Sequence, residues 1–131
     1  MEITPVNPWP WSLEQGFSQG QLVEGASRQL FLAGQTSVDE DGRVQHEGDM
    51  AAQLQLSLEN VEAVLKQAGM TLANIVRLSF YTTDVDSFLQ NAGVLGGPLE
   101  AAGVAPCGTL LGVTRLAYPG LMVELEATAL G

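Results

Sequence analysis

The chain has 131 residues, of which 46% are hydrophobic and 15% charged, and it carries a formal net charge of −10. This length suits one domain spanning residues 1–131, and the apolar fraction excludes a disordered chain. With 5 basic against 15 acidic residues, the chain lacks the basic surface that binds phosphate backbones. We therefore expect no nucleic-acid partner and no docking on anionic membranes.

The N-terminal segment is rich in proline. Pro5, Pro8 and Pro10 fall close together, with Trp9 and Trp11 beside the last two. Proline lacks the amide donor that helix interiors and central strands require. We therefore predict an extended arm over residues 1–12, without a helix, whose tryptophans pack on the domain or on a neighbouring subunit.

Turn signals follow in quick succession. Glu24-Gly25-Ala26-Ser27 separates two strand-like runs and predicts a hairpin of Gln19–Val23 with Gln29–Ala33. Asp41-Gly42 predicts a second tight turn between short extended segments. This part of the chain is therefore predicted to be β-structure.

A long amphipathic helix comes next. Asp49 is suited to cap its N-terminus and Gly69 its C-terminus. Between them apolar residues recur at three- and four-residue steps, which is typical of one buried helix face: Leu54, Leu58, Val61, Leu65 and Ala68.

A strand over Asn74–Thr83 precedes a second helix, for which Asp84 or Asp86 is the N-cap. Gly96-Gly97-Pro98 lies inside the helical pattern, and proline disfavours helical geometry in the residue before it. We predict a kink or break there.

The chain ends with two predicted strands, Thr109–Leu116 and Leu121–Leu130, around a turn at Tyr118-Pro119-Gly120. In the last strand, alternation places Glu124 and Glu126 on one face and the apolar residues on the other. The predicted fold class is α+β, a mixed sheet with two helices on one face.

Few residues offer chemistry. Glu124 and Glu126 can divide acid and base work if their surroundings separate their pKa values, and the alternative is a solvated sheet face. His46 stands alone, which favours a structural or exposed role over metal binding. Cys107 is either a small buried hydrophobe or a nucleophile. We predict no metal site and no cofactor.

Three glycines interrupt or border strands, where glycine permits either a bulge or a close approach of ligand or backbone. These are Gly34, Gly108 and Gly112. The N-terminus has no signal-peptide pattern and no segment has the length of a membrane helix. The expected location is the cytoplasm.

Short motifs occur in a fixed order over residues 14–130: Phe17-Ser18-Gln19, Leu32-Ala33-Gly34-Gln35, Gly48-Asp49 with Gln53, Ser57-Leu58-Glu59-Asn60-Val61, Val76-Arg77-Leu78 with Thr83-Asp84, and Val123-Glu124-Leu125-Glu126-Ala127. In this order and spacing they resemble the Rid (YjgF) family. The resemblance implies a chorismate-mutase-like fold and a homotrimer with small-ligand clefts between subunits. It also implies hydrolysis of 2-imino or enamino acids to 2-keto acids and ammonia, without a cofactor.

In that family an arginine early in the penultimate strand grips the substrate carboxylate, and a glutamate in the last strand positions water. The resemblance assigns the glutamate role to Glu124. The pocket that it implies consists of Phe17, Ala33, Gly34, Cys107, Gly108, Thr109 and Glu124.

The sequence departs from the family pattern in this pocket. Gly108 falls where the family has its arginine, Ala33 replaces a serine and Phe17 a tyrosine. Arg115 lies an odd number of residues from Gly108, so a regular strand would place it on the opposite face.

Loss of the bidentate guanidinium removes the grip on an α-carboxylate, which predicts neutral, cationic or apolar ligands. Two functions stay open: hydrolysis of a non-standard imine or enamine with Glu124 orienting water, or non-catalytic ligand binding or regulation by a trimer. An RNA-directed role is disfavoured by the charge.

Overall fold

The computed structural model describes residues 1–131. In chain order, its strands and α-helices are β1 (Glu2–Val6), α1 (Trp11–Glu14), β2 (Gly20–Glu24), β3 (Gln29–Phe31), α2 (Met50–Gln67), β4 (Ile75–Thr82), α3 (Val85–Asn91), α4 (Gly93–Ala101), β5 (Leu110–Gly112) and β6 (Val123–Leu130). A 3₁₀ turn at Leu72–Asn74 leads into β4. No helix combines the length and apolar character needed to cross a membrane.

The main sheet has four strands in the order β3-β6-β4-β5. β6 pairs antiparallel with both β3 and β4, whereas β5 runs parallel to β4, so the predicted mixed sheet is confirmed. The predicted closing hairpin is wrong, because β4 lies between β5 and β6. The turn at Tyr118–Gly120 forms, with the Leu121 amide donating to the Tyr118 carbonyl at 3.3 Å, but it does not join paired strands.

A second, two-stranded sheet forms from β1 and β2. The predicted hairpin around Gly25 is therefore wrong, because β2 pairs with β1 while β3 pairs with β6. The amides of Ser27 and Arg28 donate to the Gly131 carbonyl at 3.0 and 2.9 Å, and these bonds direct the chain toward the C-terminal strand.

The N-terminal prediction is also corrected. Residues 2–6 are extended as expected, but they pair as a strand, where Pro5 is tolerated because a two-stranded sheet has only edge strands. A helical turn begins at Trp11, directly after Pro10, because a proline at a helix start forfeits no intrahelical hydrogen bond.

Helices α2, α3 and α4 bury their apolar faces against one side of the main sheet, and together they form the core. The capping predictions for α2 are confirmed: the Ala52 amide donates to the Asp49 carboxylate at 3.1 Å, and Gly69 has a φ of +73°. The Val38–Val44 bridge confirms the turn at Asp41-Gly42.

The second predicted helix is divided at a different place from the one expected. Asp84 caps α3, and the boundary with α4 falls at Ala92, whereas Pro98 lies inside α4. Proline forfeits one amide donor there, and the burial of Leu95 and Leu99 on the same helix outweighs that loss. A break at Gly96-Gly97-Pro98 is therefore wrong, because α4 continues through these residues, while the alternative of a kink there stays a prediction.

Candidate functional site

The side of the main sheet opposite the helices carries the polar residues of β4 and β6, and we call it the open face. Alternation along β6 buries its odd-numbered residues and turns Glu124 and Glu126 to the open face, as the sequence predicts. The register places Tyr81 of β4 directly across from Glu124. Both glutamates and the tyrosine therefore share one surface.

Glu124 lies against the backbone of Gly34. A Cβ atom built on Gly34 would overlap Glu124 Oε1 and lie 2.6 Å from its Cδ, so only glycine leaves room for this carboxylate. The Gly34 segment runs beside β6, because the Gln35 amide donates to the Leu125 carbonyl at 2.7 Å and the Leu125 amide donates back at 2.9 Å. Gly34 thus serves a close approach, and it also lies in a bulge, because the chain has three residues between Phe31 and Gln35 where β6 has two between their partners, Thr128 and Leu125.

The electrostatic setting of Glu124 distinguishes it from an ordinary surface glutamate. Its carboxylate has no hydrogen-bond partner in the chain, and it is only partly exposed. Burial, and then the negative charge of Glu126, raise the pKa of Glu124 above its usual value. A carboxylate with a raised pKa is a stronger base and accepts a proton more readily near neutral pH.

Glu126 is held differently. It is exposed, and it accepts a hydrogen bond of 3.0 Å from the Tyr81 hydroxyl. This bond, with partial desolvation and the charges of Glu126 and Glu124, raises the pKa of Tyr81. The two glutamates therefore differ, because Glu126 is engaged by a phenol while Glu124 is free.

Gly108 has no space for any side chain. A Cβ atom there would overlap the Leu78 carbonyl oxygen and lie 2.7 Å from the carbonyl carbon. The neighbouring residue Cys107 is bridged to Arg77, and the Leu78 amide donates to the Cys107 carbonyl at 2.9 Å. The backbone of β4 therefore occupies the place into which a side chain at this position would begin.

The remaining predicted pocket residues divide between two parts of the sheet. Ala33 and Gly34 lie with Glu124 beside β6. Cys107 and Thr109 flank Gly108 beside β4, and the Cys107 thiol donates to the Val76 carbonyl at 3.2 Å.

Phe17 lies on the Gly108 side of the sheet. The next residue, Ser18, donates its amide to the Ala105 carbonyl at 3.1 Å, which holds this segment beside the chain that leads to Gly108. Gly108 contacts Leu78, which pairs with Ala127 on β6, three residues from Glu124. With spacings of about 3.3 Å along a strand and about 4.8 Å between strands, Glu124 and Gly108 lie about 14 Å apart within one chain.

Two depressions of about 290 and 300 Å³ lie on the outer surface of α2, both lined by Glu59 and Glu62 and neither by a predicted pocket residue. No three His, Cys, Asp or Glu side chains are arranged to hold a metal ion. His46 lies in a loop and adopts a φ of +60°.

One site residue escaped the sequence-based reasoning. Tyr81 is recognisable as part of a strand, but its role depends on which residue of β6 it faces. Alternation alone places Tyr81 on the same β4 face as Arg77 and Ser79. The alternating patterns of β4 and β6, taken together, would therefore have placed Tyr81 on the face that carries Glu124 and Glu126.

Comparisons with known proteins agree with this architecture. A family profile described as Endoribonuclease L-PSP matches residues 12–130. The crystal structure of YyfB from Yersinia pestis, a conserved Rid protein of unknown function, superposes with a TM-score of 0.89 at 32% identity over 100% of both chains. The chain belongs to the Rid family.

Two further proteins are similar to most of the chain. A RutC family protein of Aquifex aeolicus is 29% identical over 86% of this chain and 86% of its own length. Escherichia coli TdcF, solved with bound serine, superposes with a TM-score of 0.71 at 27% identity over 88% of this chain and 87% of its own. The predicted family is thereby confirmed.

Proposed function

We propose that this Rid protein hydrolyses a small imine or enamine that lacks an α-carboxylate, with Glu124 activating the attacking water. The observation that carries the proposal is the Glu124 carboxylate, which is seated on Gly34, free of hydrogen bonds and raised in pKa. Such a group orients and deprotonates water better than a solvated glutamate does.

The proposed substrate class follows from charge and space. Gly108 offers no guanidinium, and the nearby Leu78 backbone leaves no volume for a side chain there. Glu124 and Glu126 together repel anions, whereas an iminium carries a positive charge that a carboxylate pair attracts. A neutral or cationic C=N compound is therefore favoured over an imino acid.

The proposed reaction needs only water and one base. Water adds to the carbon of the protonated imine while Glu124 accepts a water proton, which gives a neutral carbinolamine. Glu124 passes that proton to the nitrogen, and the Glu124 carboxylate then takes the hydroxyl proton as the C–N bond breaks and the C=O bond forms. The released ammonia accepts this proton from Glu124, so that a carbonyl compound and ammonium leave. Glu124 returns to its starting state, and no oxidant or cofactor is consumed.

The proposed assembly is a homotrimer with one cleft at each subunit boundary. Within one chain the Glu124 and Gly108 groups are about 14 Å apart, so a partner must bring a Gly108 group to each Glu124 group if they share a pocket. The open face also exposes Phe31 and Leu111, at 72% and 49%, which a neighbouring subunit would cover. TdcF shows that a Rid fold can hold a small polar ligand, serine in that protein.

The decisive assay compares two imine sources. Imines generated in place from simple amines lack the carboxylate, and imines generated from amino acids carry it. We expect ammonia release to be accelerated for the first group and little for the second. Glu124→Gln should abolish the acceleration and Glu126→Gln should retain most of it. Equal rates for the wild type and Glu124→Gln on every imine would refute the proposal.

The alternative proposal is a trimeric ligand-binding or regulatory protein without chemistry, and the loss of the arginine at Gly108 favours it. Mass spectrometry of small molecules released from the purified protein tests it. A ligand recovered unaltered after incubation supports binding alone, whereas its conversion supports the enzyme.

The family profile's description names an endoribonuclease, but an RNA substrate fits this chain poorly. The net charge of −10 and the single lysine, Lys66, offer no phosphate-binding surface. We expect no salt-sensitive RNA binding.

A further inference from the structure

Gln53 is a completely buried amide in the first turns of α2, at 0% exposure. Its Nε2 donates to the His46 carbonyl at 3.1 Å and to the Gly120 carbonyl at 2.8 Å. Its Oε1 accepts from the Met122 amide at 2.8 Å. The side chain therefore joins α2 to two loops, and its orientation is fixed because carbonyls face one end and an amide the other.

Met122 is held from both sides. Its amide is bound by Gln53, and its carbonyl accepts from the Thr82 hydroxyl at 2.8 Å and from the Thr83 amide at 3.1 Å. β6 begins at the next residue, Val123. Strand ends fray when nothing holds them, so these bonds fix the point at which β6 starts.

Glu124 is the second residue of β6 and lies between two anchors. Met122 precedes it, and the reciprocal bonds of Leu125 with Gln35 follow it at 2.7 and 2.9 Å. The contact of Glu124 with Gly34 requires both anchors. The Leu125–Gln35 bonds hold the Gly34 segment beside β6, and these bonds together with those of Met122 hold the backbone of Glu124 on either side.

We propose that Gln53 is a positioning residue for Glu124, fixing through Met122 the strand end that seats the carboxylate on Gly34. The importance of that position for catalysis rests on the proposed function. The structural claim, that Gln53 sets where Glu124 lies, can be tested without a substrate.

The test replaces Gln53 by methionine, which keeps the approximate shape and loses all three hydrogen bonds. The titration of Glu124 is followed by ¹³C NMR of labelled glutamate, assigned with Glu124→Gln. The charged and titratable groups that surround it are Glu126 on the same strand and Tyr81 on β4. Glu126 and Tyr81 are both retained in Gln53→Met. A lower pKa of Glu124 in this variant therefore reports that the Glu124 carboxylate has moved toward water.

Asn74 provides a matched control at the opposite end of β6, away from both anchors. Its Nδ2 donates to the Leu130 carbonyl and its Oδ1 accepts from the Thr71 amide, both at 3.0 Å, so Asn74→Leu also removes side-chain hydrogen bonds that hold a strand end. We expect Asn74→Leu to lower stability without moving the Glu124 pKa. An unchanged Glu124 pKa in Gln53→Met, or an equal shift in both variants, would overturn the inference.

Hydrogen exchange in the wild type keeps the inference testable if Gln53→Met does not fold. The Met122 amide has Gln53 as its acceptor, and we expect it to be as protected as the paired amides of β6. Rapid exchange at Met122 would contradict the inference. If Gln53→Met shifts Glu124 but the wild type hydrolyses no imine, positioning stands and the proposed function fails.

Discussion

At the residue scale, the two glutamates of β6 show how one strand face produces two kinds of carboxylate. Glu126 is exposed and bonded to Tyr81, while Glu124 is partly buried on Gly34 without a partner. The sequence predicts that they share a face. It does not predict which one is desolvated, because that depends on the Gly34 segment, some ninety residues away in the chain.

Glu124 is expected to reduce stability at neutral pH. Because its pKa is raised in the folded state, the unfolded chain releases this proton more readily, and stability falls as pH rises from the usual glutamate range through the raised pKa. Because water screens this partly exposed carboxyl, Glu124→Gln should stabilise the fold by less than about 1 kcal/mol at neutral pH, and the gain should shrink as the pH is lowered into the usual glutamate range.

Urea unfolding of the wild type and the variant at several pH values measures this difference. Glu100→Gln, an exposed position on α4, is the control and should change stability by less than about 0.5 kcal/mol at any pH. A Glu124→Gln variant less stable than the wild type at neutral pH would contradict the assignment of Glu124 as desolvated.

At the element scale, the approach of β5 to β4 depends on Gly108. Gly108→Ala places a methyl group on the Leu78 carbonyl, which can move only with its strand, so we expect a loss of at least about 2 kcal/mol. Gly34→Ala meets only the flexible end of Glu124 and should cost about 1 kcal/mol or less.

Thermal and urea unfolding of the two alanine variants give the comparison. It is well matched, because neither glycine has a positive φ and the two substitutions therefore differ in their contacts alone. Equal stability of the two variants would show that the β4–β5 contact at Gly108 relaxes freely.

Local elements of this fold are predictable and strand partners are not. Asp49, Gly69 and Asp84 act within a turn of their own helices, so the sequence predicts these caps correctly. Pairing between β2 and β1, or between β5 and β4, is decided by the tertiary core, and inferring hairpins from adjacency along the chain fails in both cases.

The candidate site follows the same division. The β6 pattern identifies Glu124, and a family resemblance identifies the place of Gly108, yet neither reveals that the Leu78 backbone fills that place. Such a steric fact depends on two strands that meet only after folding.

At the scale of the whole molecule, the open face provides the test of assembly. Phe31 on β3 is 72% exposed there, and Leu89 on α3 is 58% exposed on the helical side. If the open face lies between the subunits of the proposed trimer, Phe31→Asp should give species smaller than a trimer, whereas Leu89→Asp should leave the assembly of the wild type unchanged.

Light scattering at micromolar concentration measures both variants beside the wild type. A wild type that is monomeric there, or a trimer insensitive to Phe31→Asp, would exclude the open face as the interface. Loss of the proposed trimer should also abolish any imine hydrolysis, because the proposed cleft that holds the substrate beside Glu124 is complete only when a second subunit closes it.

The contact of Trp11 with Phe17 makes tryptophan fluorescence sensitive to the expected pocket. Trp11 stands edge-on to Phe17, with ring centroids 5.7 Å apart and planes inclined by 79°, and Phe17 belongs to the expected pocket. The chain has only two tryptophans. A ligand that displaces Phe17 would change the surroundings of Trp11, which is one of the two tryptophans. Intrinsic fluorescence can therefore screen for ligands before any enzymatic turnover is known.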